Sequence, residues 1–321
     1  MKFSTEINIQ PLEKKLTYDS KIVSIGSCFA ENISKKLSYF KWRNTVNPTG
    51  ILFHPQAIKQ LFHRTIHKDF FQEKDIFLHR EIWCSFECHS SLNQLTKEDF
   101  LSKVNQKIID FYHQLKEATH LIITLGTAWA YQWKESGNYV ANCHKIPQNQ
   151  FTKHLLSVEE IESELAEINQ LIRTVNPELQ CIFTISPVRH IKDGIIENQR
   201  SKSHLITALH NFLDKNCNKN YYFPTYEMLM DELRDYRFYA NDLIHPSDFA
   251  IDFVWEKFKN NCIDSSVYMD MKLVQKINSG LMHRPFNQQT NEYVQFVETL
   301  KNDIQQINAK HPFMDFEMNE I

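Results

Sequence analysis

The chain has 321 residues, of which 42% are hydrophobic and 23% charged, with a formal net charge of −3. That balance suits a globular protein with one large domain and an appendage, and gives no electrostatic case for nucleic acid. No apolar run is long enough to span a bilayer. The start, Met1-Lys2-Phe3-Ser4-Thr5-Glu6, lacks the apolar core of a signal peptide. The seven scattered cysteines are therefore expected to be reduced thiols in a cytoplasmic protein.

Residues 1–20 are polar, with Phe3, Ile7 and Ile9 alternating as in an edge strand. Ile22, Val23 and Ile25 then form a β-branched run of the kind a covered strand requires. Gly26 permits a sharp turn, and Phe29, Ile33 and Leu37 recur at helical spacing to about Phe40. Asn47-Pro48-Thr49-Gly50 is turn chemistry, and His54-Pro55 opens a helix through about His63. Ile82 to Cys88 alternates like a strand. Thr96 and Asp99 predict an N-cap for a helix running to about Ala118. Leu121–Gly126 is a second buried strand, and Trp129–Val140 reads as a hairpin turning at Ser136-Gly137-Asn138. Ser157 and Glu160 make a capping box for a helix ending near Asn176-Pro177. Gln180–Ser186 is a third buried strand, followed by a helix over about 198–216 and a short strand at Tyr221-Tyr222-Phe223. Ser247 caps a helix bearing Phe249, Phe253, Val254 and Phe258.

From about Asp264 the texture is helical only, over about 264–280 and 286–309, divided at Arg284-Pro285. Phe286, Tyr293, Phe296, Val297, Leu300, Ile304 and Ile307 give the second helix an apolar face. The expected organisation is a domain over 1–262 and a helical extension over 263–321. Strands alternating with helices predict an α/β fold, a three-layer sandwich around a mostly parallel sheet.

Two stretches carry chemistry. Ser27 and Cys28 fall at the carboxyl end of a strand and the amino end of a helix, where open sheets place their crevice. Free backbone N–H groups and the helix dipole favour an anion there, so the Cys28 thiol is expected to have a lowered pKa. The bland alternative is a small buried cysteine beside a capping serine. Asp242 and His245, three apart just before a helix, place a carboxylate to hold Nδ1 of the imidazole and leave Nε2 free as a base. A surface pair is the alternative.

The motif Gly26-Ser27-Cys28-Phe29-Ala30, read together with Asp242-x-x-His245-Pro246, resembles the GSCFA family, which is grouped with the SGNH, or GDSL-like, hydrolases. The resemblance covers roughly residues 1–250. It implies a flavodoxin-like fold and an acyl-ester hydrolase or acyltransferase. Its first block aligns Cys28 with the nucleophile, in preference to Ser27, with His245 as base and Asp242 as its orienter. The oxyanion donors it implies are the N–H groups of Cys28 and Gly50, with Gly126 and Thr127 in the third block. Ala128 stands where that block has its asparagine, leaving Thr127, Asn142 or His144 to substitute.

Asn142 and His144 are candidates to line the crevice, although a bare histidine such as His144 reads more readily as structural. Arg189 is placed to clamp a substrate carboxylate or phosphate, or else to pair with a surface acid. Cys84, Cys88, His89, Cys143 and His144 are zinc-ligand types at no standard spacing, so no metal is expected, and no cofactor. The expected partner is a small-molecule or carbohydrate ester, with no nucleic acid and no membrane; homo-oligomerisation is left open. Two other readings are a non-catalytic binding module on the same scaffold and a cysteine protease.

Overall fold

The computed structural model describes residues 5–284 and 289–316. Its strands are β1 (Lys21–Gly26), β2 (Arg43–Val46), β3 (Phe77–His79), β4 (Ile82–Cys84), β5 (His120–Leu125), β6 (Trp129–Trp133), β7 (Tyr139–Val140), β8 (Phe151–Leu155), β9 (Gln180–Ile185) and β10 (Asn220–Tyr222). Its helices are α1 (Cys28–Tyr39), α2 (Pro55–His67), α3 (Lys97–Glu117), α4 (Val158–Val175), α5 (Ile195–Lys215), α6 (Thr225–Glu227), α7 (Asp248–Cys262), α8 (Tyr268–Leu281) and α9 (Asn291–Lys310).

Five strands form one parallel sheet in the order β10-β9-β5-β1-β2. Chain direction across the sheet reverses between β1 and β5, the position where such folds open a crevice. The strands β5 and β9 are buried throughout, as is β1 apart from Lys21. Alternation along the strands divides the core. Val23, Ile25, Ile123 and Phe183 pack under α2, α3, α4 and α5, while Ile22, Ile122 and Ile182 pack against α1, α7, α8 and α9. The fold is therefore an α/β sandwich with a parallel central sheet and helices on both faces. On the second face, Met271 and Val274 of α8 and Leu300, Ile304 and Ile307 of α9 share one apolar cluster with Leu16, Trp42 and Ile122 of the main body.

Several elements differ from the sequence expectation. Residues 5–12 form no strand; they are tied down through Ile7 N–H to Glu232 Oε1 at 2.9 Å and Leu12 N–H to the Asn261 carbonyl at 2.9 Å. Phe3 lies outside the described residues. The sheet edge is β2 instead, whose sequence Arg-Asn-Thr-Val has no apolar face to betray it. The strand expected over Ile82–Cys88 ends at Cys84 and pairs antiparallel with β3. That turn is made by Arg80 and Glu81, both at positive φ. The hairpin of β6 and β7 forms as expected, and β8 adds a third strand to it. In the tail, Leu300, Ile304 and Ile307 are buried, but Phe296 is 37% exposed because α9 meets the body only from its middle onward. Phe286 lies outside the described residues.

Candidate active site

The turn after β1 is shaped by close approach of two strands. Gly26 adopts φ +129°, and a Cβ there would lie 2.0 Å from the Thr124 carbonyl oxygen of β5. Only glycine fits such a position. The Gly26 N–H donates to Asn47 Oδ1 at 2.9 Å and its carbonyl accepts from Leu52 N–H at 3.1 Å, fixing where α1 starts. Ser27 is fully buried and acts as the N-cap, its Oγ accepting from Phe29 N–H at 3.4 Å. Cys28, the first residue of α1, is partly exposed and opens into a cavity of about 710 Å³.

Across that cavity stands His245. Its loop is closed by the Ala240 N–H to His245 carbonyl bond at 2.7 Å and by a bridge between Tyr239 and Pro246, with Leu243 at φ +59°. Asp242 holds His245 and its loop at three points, one of them on the imidazole. Oδ1 accepts from the backbone N–H of Ile244 at 2.9 Å and of His245 at 3.0 Å, and Oδ2 faces Nδ1 at 2.7 Å. The backbone N–H and ring of His245, joined by the N–H of Ile244, hold the Asp242 carboxyl down at about 2, so it is ionised at any working pH. A carboxylate on Nδ1 fixes the proton there and leaves Nε2 as the free nitrogen.

The Cys28 thiol departs from expectation. Burial, reinforced by Glu31, pushes its pKa up, and the N–H groups of Cys28 and Phe29 with the Lys202 charge only partly offset this. The helix terminus is present, but desolvation wins.

Other expected site residues divide. Thr127, Asn142 and Arg189 line the same cavity as Cys28 and His245. Asn142 Oδ1 accepts from His144 N–H at 2.8 Å, which fixes the amide and leaves Nδ2 as its free end. The Arg189 guanidinium lies over the rings of Tyr239 (4.1 Å) and Tyr236 (5.2 Å). His144 is not a cavity residue: it is buried, with Nε2 on the Ser85 carbonyl at 2.7 Å, a structural role. Three expected oxyanion donors are already spent. Gly50 N–H donates to the Asn47 carbonyl at 2.8 Å, and a Cβ at Gly50 would strike His89. Gly126 and Thr127 both donate to the Phe53 carbonyl, at 2.8 and 2.9 Å.

Residues 21–258 match the model of the GSCFA family, and residues 274–320 match the C-terminal domain of GSCFA domain proteins. The chain belongs to the GSCFA family. Among solved structures, this GSCFA protein is similar to an acetyl xylan esterase from the rumen bacterium Butyrivibrio proteoclasticus, at 10% identity and a TM-score of 0.41. The similarity covers 77% of this chain and 66% of the esterase, so the chain spans just under two thirds of that protein's length. No curated protein matches the sequence.

The GSCFA protein also holds two residues at this site that the sequence reading did not assign. His190 lines the cavity with its ring edge-on to Phe53 at 5.4 Å. Burial, Lys202 and His245 lower its pKa to about 3, so it stays neutral. Lys202 lies fully buried on α5. Its signal in the sequence is a run of polar residues, Asn198, Ser201 and Lys202, at the core-facing positions that Leu205 and Leu209 continue. Among the described residues, no group of three or more His, Cys, Asp or Glu is placed to hold a metal ion, and no helix is long and apolar enough to cross a membrane.

Proposed function

We propose that this GSCFA protein is an acyl-transfer enzyme in which Cys28 attacks an ester carbonyl. The observation that carries the reading is a thiol and a carboxylate-held imidazole facing one crevice, Cys28 on α1 and His245 oriented by Asp242 at 2.7 Å. His245 Nε2 takes the thiol proton as Sγ bonds to the carbonyl carbon. The oxygen of the tetrahedral intermediate faces the start of α1, where the Cys28 N–H is the backbone donor, the Phe29 N–H being held by Ser27 Oγ. Asn142 Nδ2 supplies a side-chain donor in place of the asparagine that Ala128 replaces. Collapse breaks the ester C–O bond, and the leaving alkoxide takes its proton from His245. A second pass, with water or an acceptor hydroxyl giving its proton to His245, releases the acyl group from sulfur.

Phe53, Trp129 and Tyr131 give the crevice a largely apolar, aromatic wall. Such a wall suits a small-molecule or carbohydrate ester, since ring faces pack on apolar and sugar C–H surfaces. The test is single-turnover acylation with an activated acetyl ester, followed by peptide mapping. Label on Cys28, lost in Cys28→Ala and kept in Ser27→Ala, is the expected result. Label retained in Cys28→Ala and lost in Ser27→Ala gives the role to Ser27, and no label on either residue defeats the proposal. Adding a polyol acceptor then separates hydrolysis from transfer.

A further inference from the structure

The chain as a whole is acidic, at −3, but its crevice is not. Among the residues lining the cavity that holds Cys28 and His245, Lys153, Arg189 and Lys192 are cations and Asp193 is the carboxylate. That acid is already taken. It pairs with Lys153, whose Nζ also lies 4.0 Å over the Trp129 ring. Asp242 stands behind His245 with both oxygens spent on that loop, and Glu31, which acts on Cys28, does not line the cavity. Among the described residues, no acid forms an ion pair with Arg189 or Lys192, so two crevice cations lack a counter-charge.

Arg189 is fixed to the loop that carries the imidazole. Its backbone N–H donates to the carbonyl of Ile244, one residue before His245, at 3.3 Å. Its guanidinium lies over the ring of Tyr239, which is bridged to Pro246, one residue after His245. Arg189 also lines a neighbouring cavity of about 500 Å³ on the side of Tyr236 and Tyr239, so it stands where the two cavities meet. Asp231 and Asp235 line that second cavity, but neither pairs with Arg189, and Asp235 is held by Arg237 at 3.1 Å. Ring faces hold a guanidinium through its plane and leave its in-plane N–H fork for an anion.

We propose that the alcohol half of the ester carries an acidic group, a carboxylate or a phosphate, which Arg189 receives where the crevice meets the second cavity. The proposal rests on His245 as the base. The leaving alkoxide takes its proton from Nε2, so the alcohol half lies on the His245 side of the crevice, the side to which Arg189 is tied. The guanidinium fork matches the paired oxygens of either group, and Lys192 adds a second positive charge on the same wall. An arginine seated on two rings for structure alone would leave binding indifferent to the charge of the ligand.

The test is protection of Cys28 from iodoacetamide, read by peptide mapping, with the exposed Cys217 as internal control. The probes are three alcohols of one shape: 4-hydroxybenzoate, 4-hydroxyphenyl phosphate and the neutral methyl 4-hydroxybenzoate. In the wild type, one of the anions is expected to protect at a roughly tenfold lower concentration than the neutral probe, and the better of the two identifies the acidic group. In Arg189→Met that preference is expected to vanish while protection by the neutral probe is unchanged. Equal protection by charged and neutral probes, a preference that survives Arg189→Met, or no protection by any probe overturns the proposal. If Arg189→Met does not fold, Arg189→Lys decides: replacing the fork by a point charge is expected to cut the preference several-fold, and an undiminished preference overturns the proposal. Protection needs no ester turnover. Arg189-dependent protection without acylation would defeat the proposed function and leave the anion site standing, whereas acylation without a charge preference would do the reverse.

Discussion

Replacing Lys202 by methionine tests the electrostatics of the crevice floor through stability alone. Burial lowers the Lys202 pKa from 10.5 to about 7. Below pH 7 the lysine is protonated in both folded and unfolded chains, and the folded state bears the full cost of a buried ammonium. Between pH 7 and 10.5 the unfolded chain still binds this proton and the folded chain does not, so raising the pH stabilises the fold. The limiting slope is about 1.4 kcal/mol per pH unit, and because the folded group is half-titrated at pH 7, the gain from pH 7 to 9 is about 2 kcal/mol. Methionine has no such term. It also leaves the Gly126 and Ser186 carbonyls without their donor, a pH-independent penalty of about 1–3 kcal/mol each. Urea unfolding of both proteins at pH 7, 8 and 9, followed by tryptophan fluorescence, gives the difference curve. Subtraction cancels the buried cysteines and tyrosines common to both. The wild type is expected to gain on the variant by about 2 kcal/mol across that range. Parallel curves would refute a charge buried without a counter-ion in the resting fold.

Asp242→Asn keeps an oxygen for the two backbone N–H groups but loses the charge on Nδ1, so acyl transfer is expected to fall by a factor on the order of 10⁴ with the melting temperature little moved; the check is turnover of an activated ester beside a thermal melt. With Asp242 held at about 2, acidification to pH 4 should not detach His245 through this carboxylate, which a chemical-shift titration of the His245 ring can follow. Gly26→Ala should cost more than about 4 kcal/mol and give no soluble fold, because a Cβ 2.0 Å from the Thr124 carbonyl must part β1 from β5. Gly137→Ala meets nothing within 4 Å and carries only the strain of φ +71°, about 1 kcal/mol by urea midpoint. Arg64→Met strands the partly buried Glu87 and Asp75 carboxylates, and is expected to cost about 3–5 kcal/mol.

The strands β1, β5 and β9 were legible because each is a short apolar run buried on both faces, bounded by Gly26, Gly126 or Pro187. Caps such as Ser157 with Glu160 were legible because the signal is local. The edge strand β2 was not, since its four residues are all half-buried and its pairing with β1 is the only thing that makes it a strand. At the site, Cys28 and His245 were found from turn chemistry and spacing. Gly50, Gly126 and Thr127 misled for a single reason. Whether a backbone N–H is free depends on which carbonyl reaches it from elsewhere in the chain, and no residue type records that.

That last point bears on how the crevice can work. The Phe53 carbonyl accepts from both Gly126 and Thr127, so the segment before α2 crosses the end of β5 and takes up its first two free amides. Ser201 Oγ accepts from Ala128 N–H at 2.7 Å, taking up the third. Lys202, the next residue, occupies the Gly126 carbonyl. The end of β5 is thus satisfied in both donors and acceptor, and contributes a wall rather than a ligand-binding loop. On the proposed reading, a developing negative charge is left with the Cys28 N–H at the start of α1 and with Asn142 Nδ2. On that reading the nucleophile and its backbone donor come from one turn, the one that Gly26 forces against β5.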